Sequence, residues 1–286
     1  MVLPNDRLQT ALTHVGMKNG RMLVKGRTSK EDGTPVLELE AEVDQPPTAY
    51  VFTGQGMQQI DMGMDLYQES PAARDVWDCA NKHTRTAYGF DLFDIVRSNP
   101  KQLSVHFNGK AGRYIRSHYM MISDHALGKE MVDTEFPTHS VLSDLTTQST
   151  SYTFQLAEGL LNLTQFTQCA QIAMTVATMA DMRSKGLVQT GAMFAGHSFG
   201  EVCALAAMAN VFSIEGMLDV AFYRGLIMQS AVSRDEQGRS EFGMVSVNPT
   251  RINKAFDEKM LLLAVNSICA ACSGLLRVIN YNVRGA

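Results

Sequence analysis

Apolar positions recur with different periods along this chain, and the changes of period mark out its elements. Along Met22-Leu-Val-Lys-Gly-Arg27 and Val36-Leu-Glu-Leu-Glu-Ala-Glu-Val43, apolar and polar residues alternate, as half-buried antiparallel strands require. Asp32-Gly33 lies between the two as a turn signal. Gln45-Pro46-Pro47 breaks the pattern and reads as a linker. Two strands cannot enclose a core by themselves, so these residues are expected to end a domain whose body lies upstream of Met1.

After the linker, Ala49-Tyr-Val-Phe-Thr53 is a short apolar run read as a strand that leads into Gly54-Gln55-Gly56. Helical spacing follows over residues 64–67 and 72–83. Residues 100 to about 152 are polar and mixed and are expected to form a long surface excursion. Helical pattern returns over 155–163 and 165–182. Ala192 to Ala195 reads as a buried strand, 202–209 as a helix and 213–232 as a long helix. A strand at 243–247, a mostly helical stretch from 251 to about 272 and a last strand at 275–281 complete the pattern. Strands alternating with helices predict a largely parallel α/β layer.

Composition narrows the function. With 286 residues, 45% of them hydrophobic, the chain can bury the core of one large or two small domains. A net charge of −4 offers no basic surface for nucleic acid. No apolar run is long enough to cross a bilayer, and the five cysteines with no secretory leader suit a reducing compartment. A soluble cytoplasmic protein is expected, with no membrane partner. Cys269 and Cys272 form a lone CxxC, too few ligands for zinc, and are expected to be two ordinary buried helical cysteines. His106, His118, His125 and His139 match no metal-binding spacing.

The sharpest signal is Gly196-His197-Ser198-Phe199-Gly200-Glu201, which joins the strand at 192–195 to an alanine-rich helix. A serine between two glycines at a strand-to-helix junction is a nucleophile elbow, and the helix N-terminus behind it offers N–H groups to an oxyanion. Ser198-Phe-Gly-Glu201 also fits a capping box, which would merely start the helix. His197 is a candidate base by adjacency, but neighbouring side chains on a strand point to opposite faces. Arg224 stands in Val220-Ala-Phe-Tyr-Arg-Gly-Leu-Ile-Met228 with no acid at i±3 or i±4. A guanidinium unpaired in an apolar setting is costly. Either it snorkels to solvent or meets a distant acid, or a dicarboxylate ligand supplies its partner.

The motifs Tyr50-Val-Phe-Thr-Gly-Gln-Gly56, Gly63-Met-Asp-Leu-Tyr67, Thr164-Gln-Phe-Thr-Gln168, Phe194-Ala-Gly-His-Ser-Phe-Gly-Glu201, Phe222-Tyr-Arg-Gly-Leu226, Arg234-Asp-Glu-Gln-Gly-Arg239 and Asn280-Tyr-Asn282 together resemble the malonyl/acyl-CoA:acyl carrier protein transacylase family. The resemblance is nearest to the malonyl/palmitoyl transferase region of fungal type I fatty acid synthase β subunits. It implies an acyltransferase fold with an α/β-hydrolase-like large subdomain and a truncated ferredoxin-like small subdomain, preceded by a short β segment. The implied boundaries are 1–44 for the tail of a hot-dog dehydratase-like domain, 45–48 for a linker, 49–242 for the large subdomain and 243–286 for the start of the small one.

The same resemblance implies that Ser198 takes an acyl group from malonyl-CoA or an acyl-CoA and that acyl carrier protein discharges it. The backbone N–H groups of Gln55 and Phe199 would form the oxyanion hole; Arg224, Gln168 and His197 would bind substrate, with Arg224 on the malonyl carboxylate. No cofactor serves this step beyond the thioester and the carrier's phosphopantetheine. FMN and NADPH would act elsewhere in the subunit, which would assemble with an α subunit into a large hetero-oligomer.

The family's histidine base follows its serine, yet every histidine here stands at or before position 197. The chain alone is therefore expected to be inactive and to be a fragment of a larger subunit. A non-catalytic piece of the synthase and a serine esterase or thioesterase are the alternative readings.

Overall fold

The computed structural model describes residues 4–18, 21–44, 47–125, 141–142, 144–208, 211–232, 235, 240–245, 247, 256–272 and 274–279. The chain divides into two compact units, residues 1–239 and 240–286.

The first unit opens with an antiparallel sheet of β1 (Leu8–Lys18), β2 (Arg21–Lys30) and β3 (Pro35–Val43). The two anticipated strands are β2 and β3. β1 pairs with β2 in register from Leu8↔Lys30 to Lys18↔Arg21, with an irregularity between His14 and Gly16. One face carries exposed ion pairs across the strands, Lys25–Glu40 and Arg27–Glu38. On the other face the leucines of β1 and β3 close over Gly26, where a Cβ would lie 3.0 Å from Leu39 and 3.2 Å from Leu12.

β4 (Ala49–Phe52) pairs in parallel with β7 (Met193–Gly196), Phe52 opposite Gly196. Between them in sequence lie α1 (Met64–Glu69), α2 (Pro71–His83), a π-helical turn at Thr84–Tyr88, α3 (Leu92–Ser98), β5 (Gln102–His106), α4 (Gly109–His125), β6 (Ser151–Gln155) and α5 (Thr164–Ser184). After β7 come α6 (Phe199–Ala207) and α7 (Ile214–Ser230).

Residues 100–152 depart from the expected surface excursion. β5 and β6 form an antiparallel ribbon, and Val105, Phe107 and Tyr119 are buried. Tyr119 donates to the Tyr88 carbonyl and stacks edge-on against Phe222. The ribbon and α4 thereby supply core side chains that a polar average conceals. The expected helix at 155–163 is likewise replaced by β6 and a 3₁₀ turn at Leu160–Asn162. His139 and the side chain of His125 lie outside the described residues.

α5 is the axis of this unit, packed against α2, α6 and α7, with polar Gln165, Gln168 and Gln171 among its buried residues. α7 crosses it at Gly225, where a Cβ would lie 2.4 Å from Gln165 Cα. α2 and α7 run side by side, joined by Cys79 Sγ to Glu215 at 3.1 Å and His83 Nε2 to Asp219 at 2.7 Å.

In the second unit, α8 (Glu258–Cys272) is the one helix among the described residues, and it has no buried residue. Cys272 is exposed and Cys269 half-buried, so the expected burial of this CxxC does not hold: α8 has no buried residue, and Cys269 Sγ reaches only the Leu276 carbonyl among the described residues. Neither 243–245 nor 275–279 forms a strand, since neither has a pairing partner among the described residues. The Asn280-Tyr-Asn282 motif, Arg234 and Arg239 lie outside the described residues.

Candidate active site

The site grows out of the end of β7. Ser198 has φ 55° and ψ −120°, a region that a non-glycine residue occupies only at about 1–3 kcal/mol of strain. The glycines on either side permit it by contact distance. A Cβ on Gly196 would sit 2.1 Å from the Gly200 carbonyl carbon, and one on Gly200 would sit 2.3 Å from Phe52 O. The capping-box alternative fails here, because Ser198 is the α6 N-cap residue but its hydroxyl accepts no capping hydrogen bond. The hydroxyl belongs to an exposed residue.

The loop after β4 lies against this elbow. A Cβ on Gly54 would be 3.1 Å from His197 O and 4.0 Å from Ser198 Cβ. Gly54-Gln55 and Ser198-Phe199 are thus neighbours at the C-terminal ends of two parallel strands, where ligands of open α/β sheets bind. The N–H groups of Gln55 and Phe199 have no hydrogen-bond acceptor among the described residues. Two free N–H donors beside an exposed hydroxyl can stabilise negative charge on an oxygen.

α5 holds the loop from beneath. Gln168 Nε2 donates to Gln55 Oε1 at 3.1 Å, and Gln171 Nε2 donates to the carbonyls of Thr53 at 2.7 Å and Gly54 at 3.1 Å. Gln168 Oε1 is buried without a partner.

Arg224 reaches this cluster from α7. Its guanidinium carbon lies 5.4 Å from the centre of the Phe199 ring, a cation–π distance. Nη1 is buried and makes no hydrogen bond, and no carboxylate approaches within ion-pair distance among the described residues. Burial pushes the nearby Cys203 thiol up to about 11, despite opposing contributions from Thr175 and Arg224. That thiol is neutral at physiological pH and gives Arg224 no counter-charge.

Ser198, Phe199, Gln55, Gln168 and Arg224 therefore come together. His197 contributes its backbone carbonyl, which accepts from Gly200 N–H at 2.9 Å. Its ring is exposed and makes no hydrogen bond to Ser198, so the geometry does not seat it as a base. Gln171 escaped the sequence reading. The signal was its i+3 spacing from Gln168 on a helix too apolar to leave a glutamine unpartnered. An open groove of about 370 Å³ beside β7, lined by residues such as Phe194, Leu205 and Met208, includes neither Ser198 nor Arg224.

A strained serine at a strand-to-helix turn, facing a glycine loop across a parallel strand pair, defines an α/β protein of the nucleophile-elbow class. Residues 49–285 match the family described as acyl transferase domain, and the chain belongs to that family. It is 47% identical over 283 residues to the fatty acid synthase subunit beta of Saccharomyces cerevisiae, and 49% identical over 284 residues to that of Schizosaccharomyces pombe. Each alignment covers 99% of this chain and 14% of the relative, so the chain spans about one seventh of their length. The solved malonyl CoA-acyl carrier protein transacylase of Clostridium perfringens is 20% identical, with a TM-score of 0.41 over 66% of this chain and 40% of its own. That likeness is too loose to compare side chains.

Proposed function

We propose that this chain carries the acyl-transfer site of a fungal fatty acid synthase β subunit, an S-malonyl/acyl transferase. Ser198 Oγ attacks the thioester carbonyl of malonyl-CoA or an acyl-CoA, its proton leaves to a base, and the C–S bond breaks to release the CoA thiolate. The N–H groups of Gln55 and Phe199 hold the oxyanion. The phosphopantetheine thiol of acyl carrier protein then takes the acyl group from the serine. The step needs no further cofactor; FMN and NADPH belong to reductive steps elsewhere in such a subunit. Its expected setting is a cytoplasmic hetero-oligomer with an α subunit. The observation that carries this reading is the strained Ser198, its hydroxyl unused as a cap, between two glycines that admit no side chain.

Arg224 supports the malonyl preference. Its buried, unpartnered Nη1 and its seat over Phe199 suit a carboxylate arriving with the substrate. Losing a hydrogen bond to a charged group costs about 1.5–3 kcal/mol, or roughly 10- to 150-fold. Arg224→Ala should lower malonyl transfer by that factor and leave or raise transfer of a monoacyl group. Imidazole-supported acylation of Ser198 by malonyl-CoA and by a monoacyl-CoA in competition reads the split, and equal loss of both would remove the carboxylate role.

The absence of any hydrogen bond to the Ser198 hydroxyl among the described residues also favours a second reading, a non-catalytic part of the synthase. Acyl-serine formation separates the two. An esterase would instead release free acid faster than it acylates a carrier.

A further inference from the structure

Gln171 touches neither Ser198 nor any group assigned to substrate, yet it is 3% exposed and both of its hydrogen bonds go to one loop. Its Nε2 meets Thr53 O at 2.7 Å and Gly54 O at 3.1 Å. The Gly54 carbonyl and the Gln55 N–H belong to one peptide group. That group is planar and trans, so its C=O and N–H point in opposite directions. A carbonyl drawn onto α5 turns the Gln55 N–H away from α5.

The elbow also lies against this loop, where a Cβ on Gly54 would be 3.1 Å from His197 O and 4.0 Å from Ser198 Cβ. The segment from Thr53 to Gln55 thus touches both Gln171 and the elbow. Gln168 fixes a different part of it, the Gln55 side chain, and leaves the peptide plane free to turn. Glycine at 54 imposes little preference on that plane, so an external hold is needed.

We propose that Gln171 is the positioning residue of the oxyanion hole: it locks the Gly54–Gln55 peptide in the orientation that presents the Gln55 N–H to the reacting carbonyl oxygen. This rests on the acyl-serine reading above. Leucine would fill the same space and release the plane. Glutamate would match the shape, lose the donor and repel both carbonyls. Histidine, whose Nε2–H reaches about as far, would keep the donor.

The test uses the 286-residue chain, single-turnover acylation by p-nitrophenyl acetate, and peptide mapping of the acylated residue by mass. Imidazole added to the assay stands in for the base that a serine hydroxyl needs, so the readout does not depend on a histidine partner. Gln171→Leu and Gln171→Glu should lower the limiting rate of Ser198 acylation on the order of 100-fold, as loss of one oxyanion donor does. The half-saturating ester concentration should stay nearly constant, and Gln171→His should recover most of the rate.

A role confined to packing would instead lower the thermal midpoint and leave the limiting rate in place. Parent-like rates in Gln171→Glu, or an effect wholly in half-saturation, would overturn the proposal even if Gln171→Leu fails to fold. Acylation undiminished in Ser198→Ala would overturn the serine reading itself, and this inference with it.

Discussion

Ser198 and its flanking glycines exert opposite effects on stability. Strain at a φ of 55° costs about 1–3 kcal/mol, whereas glycine's extra chain entropy costs about 0.5–1 kcal/mol. Ser198→Gly should therefore stabilise the fold by about 1 kcal/mol while removing the hydroxyl. Gly200→Ala should cost about 1–3 kcal/mol or more, because its Cβ would press on Phe52 O at 2.3 Å. Urea midpoints of the two variants check both signs, and a destabilised Ser198→Gly would contradict the strain argument. The elbow was legible in sequence because only glycine spacing admits it. The motif placed Phe199 next to Ser198, but its ring under Arg224 was not legible, since the contact joins α6 to α7. Gln171 stayed hidden because its partners are carbonyls more than a hundred residues away.

Among elements, α2 and α7 are tied by polar contacts inside an aromatic core. Burial disfavours the charged form of Asp219, but hydrogen bonds from His83 and Tyr88 outweigh it and hold the carboxyl below its usual range. A depressed carboxyl pKa contributes stability that is present above the unfolded value near 3.9 and lost as pH falls through the folded value. Asp219→Asn should therefore be less stable than the parent at neutral pH, and the gap should close below about pH 4. Denaturant midpoints across that range measure it, and a gap that does not vary with pH would contradict it. The helices were legible by period because α2 and α7 each bury one stripe. β5 and β6 were not, since a five-residue strand among polar neighbours gains its identity from the strand it pairs with. The same dependence on a partner explains why 243–245 and 275–279 read as strands and do not form them.

At the scale of the whole molecule, apolar surface lies open among the described residues. Val51 is 76% exposed and Met193 64% exposed on the parallel pair, and Leu12 is 69% exposed on the N-terminal sheet. Parallel sheets are ordinarily covered on both faces, and uncovered apolar patches drive association. The isolated chain should bind the dye ANS and self-associate in light scattering, and Leu12→Lys with Leu39→Lys should reduce both. A monodisperse monomer without dye binding would contradict this.

The central claim is that Ser198 is a nucleophile served by the N–H groups of Gln55 and Phe199, with no side chain among the described residues hydrogen-bonded to its hydroxyl as a base. Added imidazole can stand in for such a base. The direct measurement is the intact mass and peptide map of the chain after incubation with malonyl-CoA, with and without imidazole. Imidazole-dependent gain of one malonyl group on the peptide bearing Ser198, absent in Ser198→Ala, is the expected result. Folded chain that acquires no acyl group at Ser198 in imidazole, or acquires it elsewhere, would contradict the account.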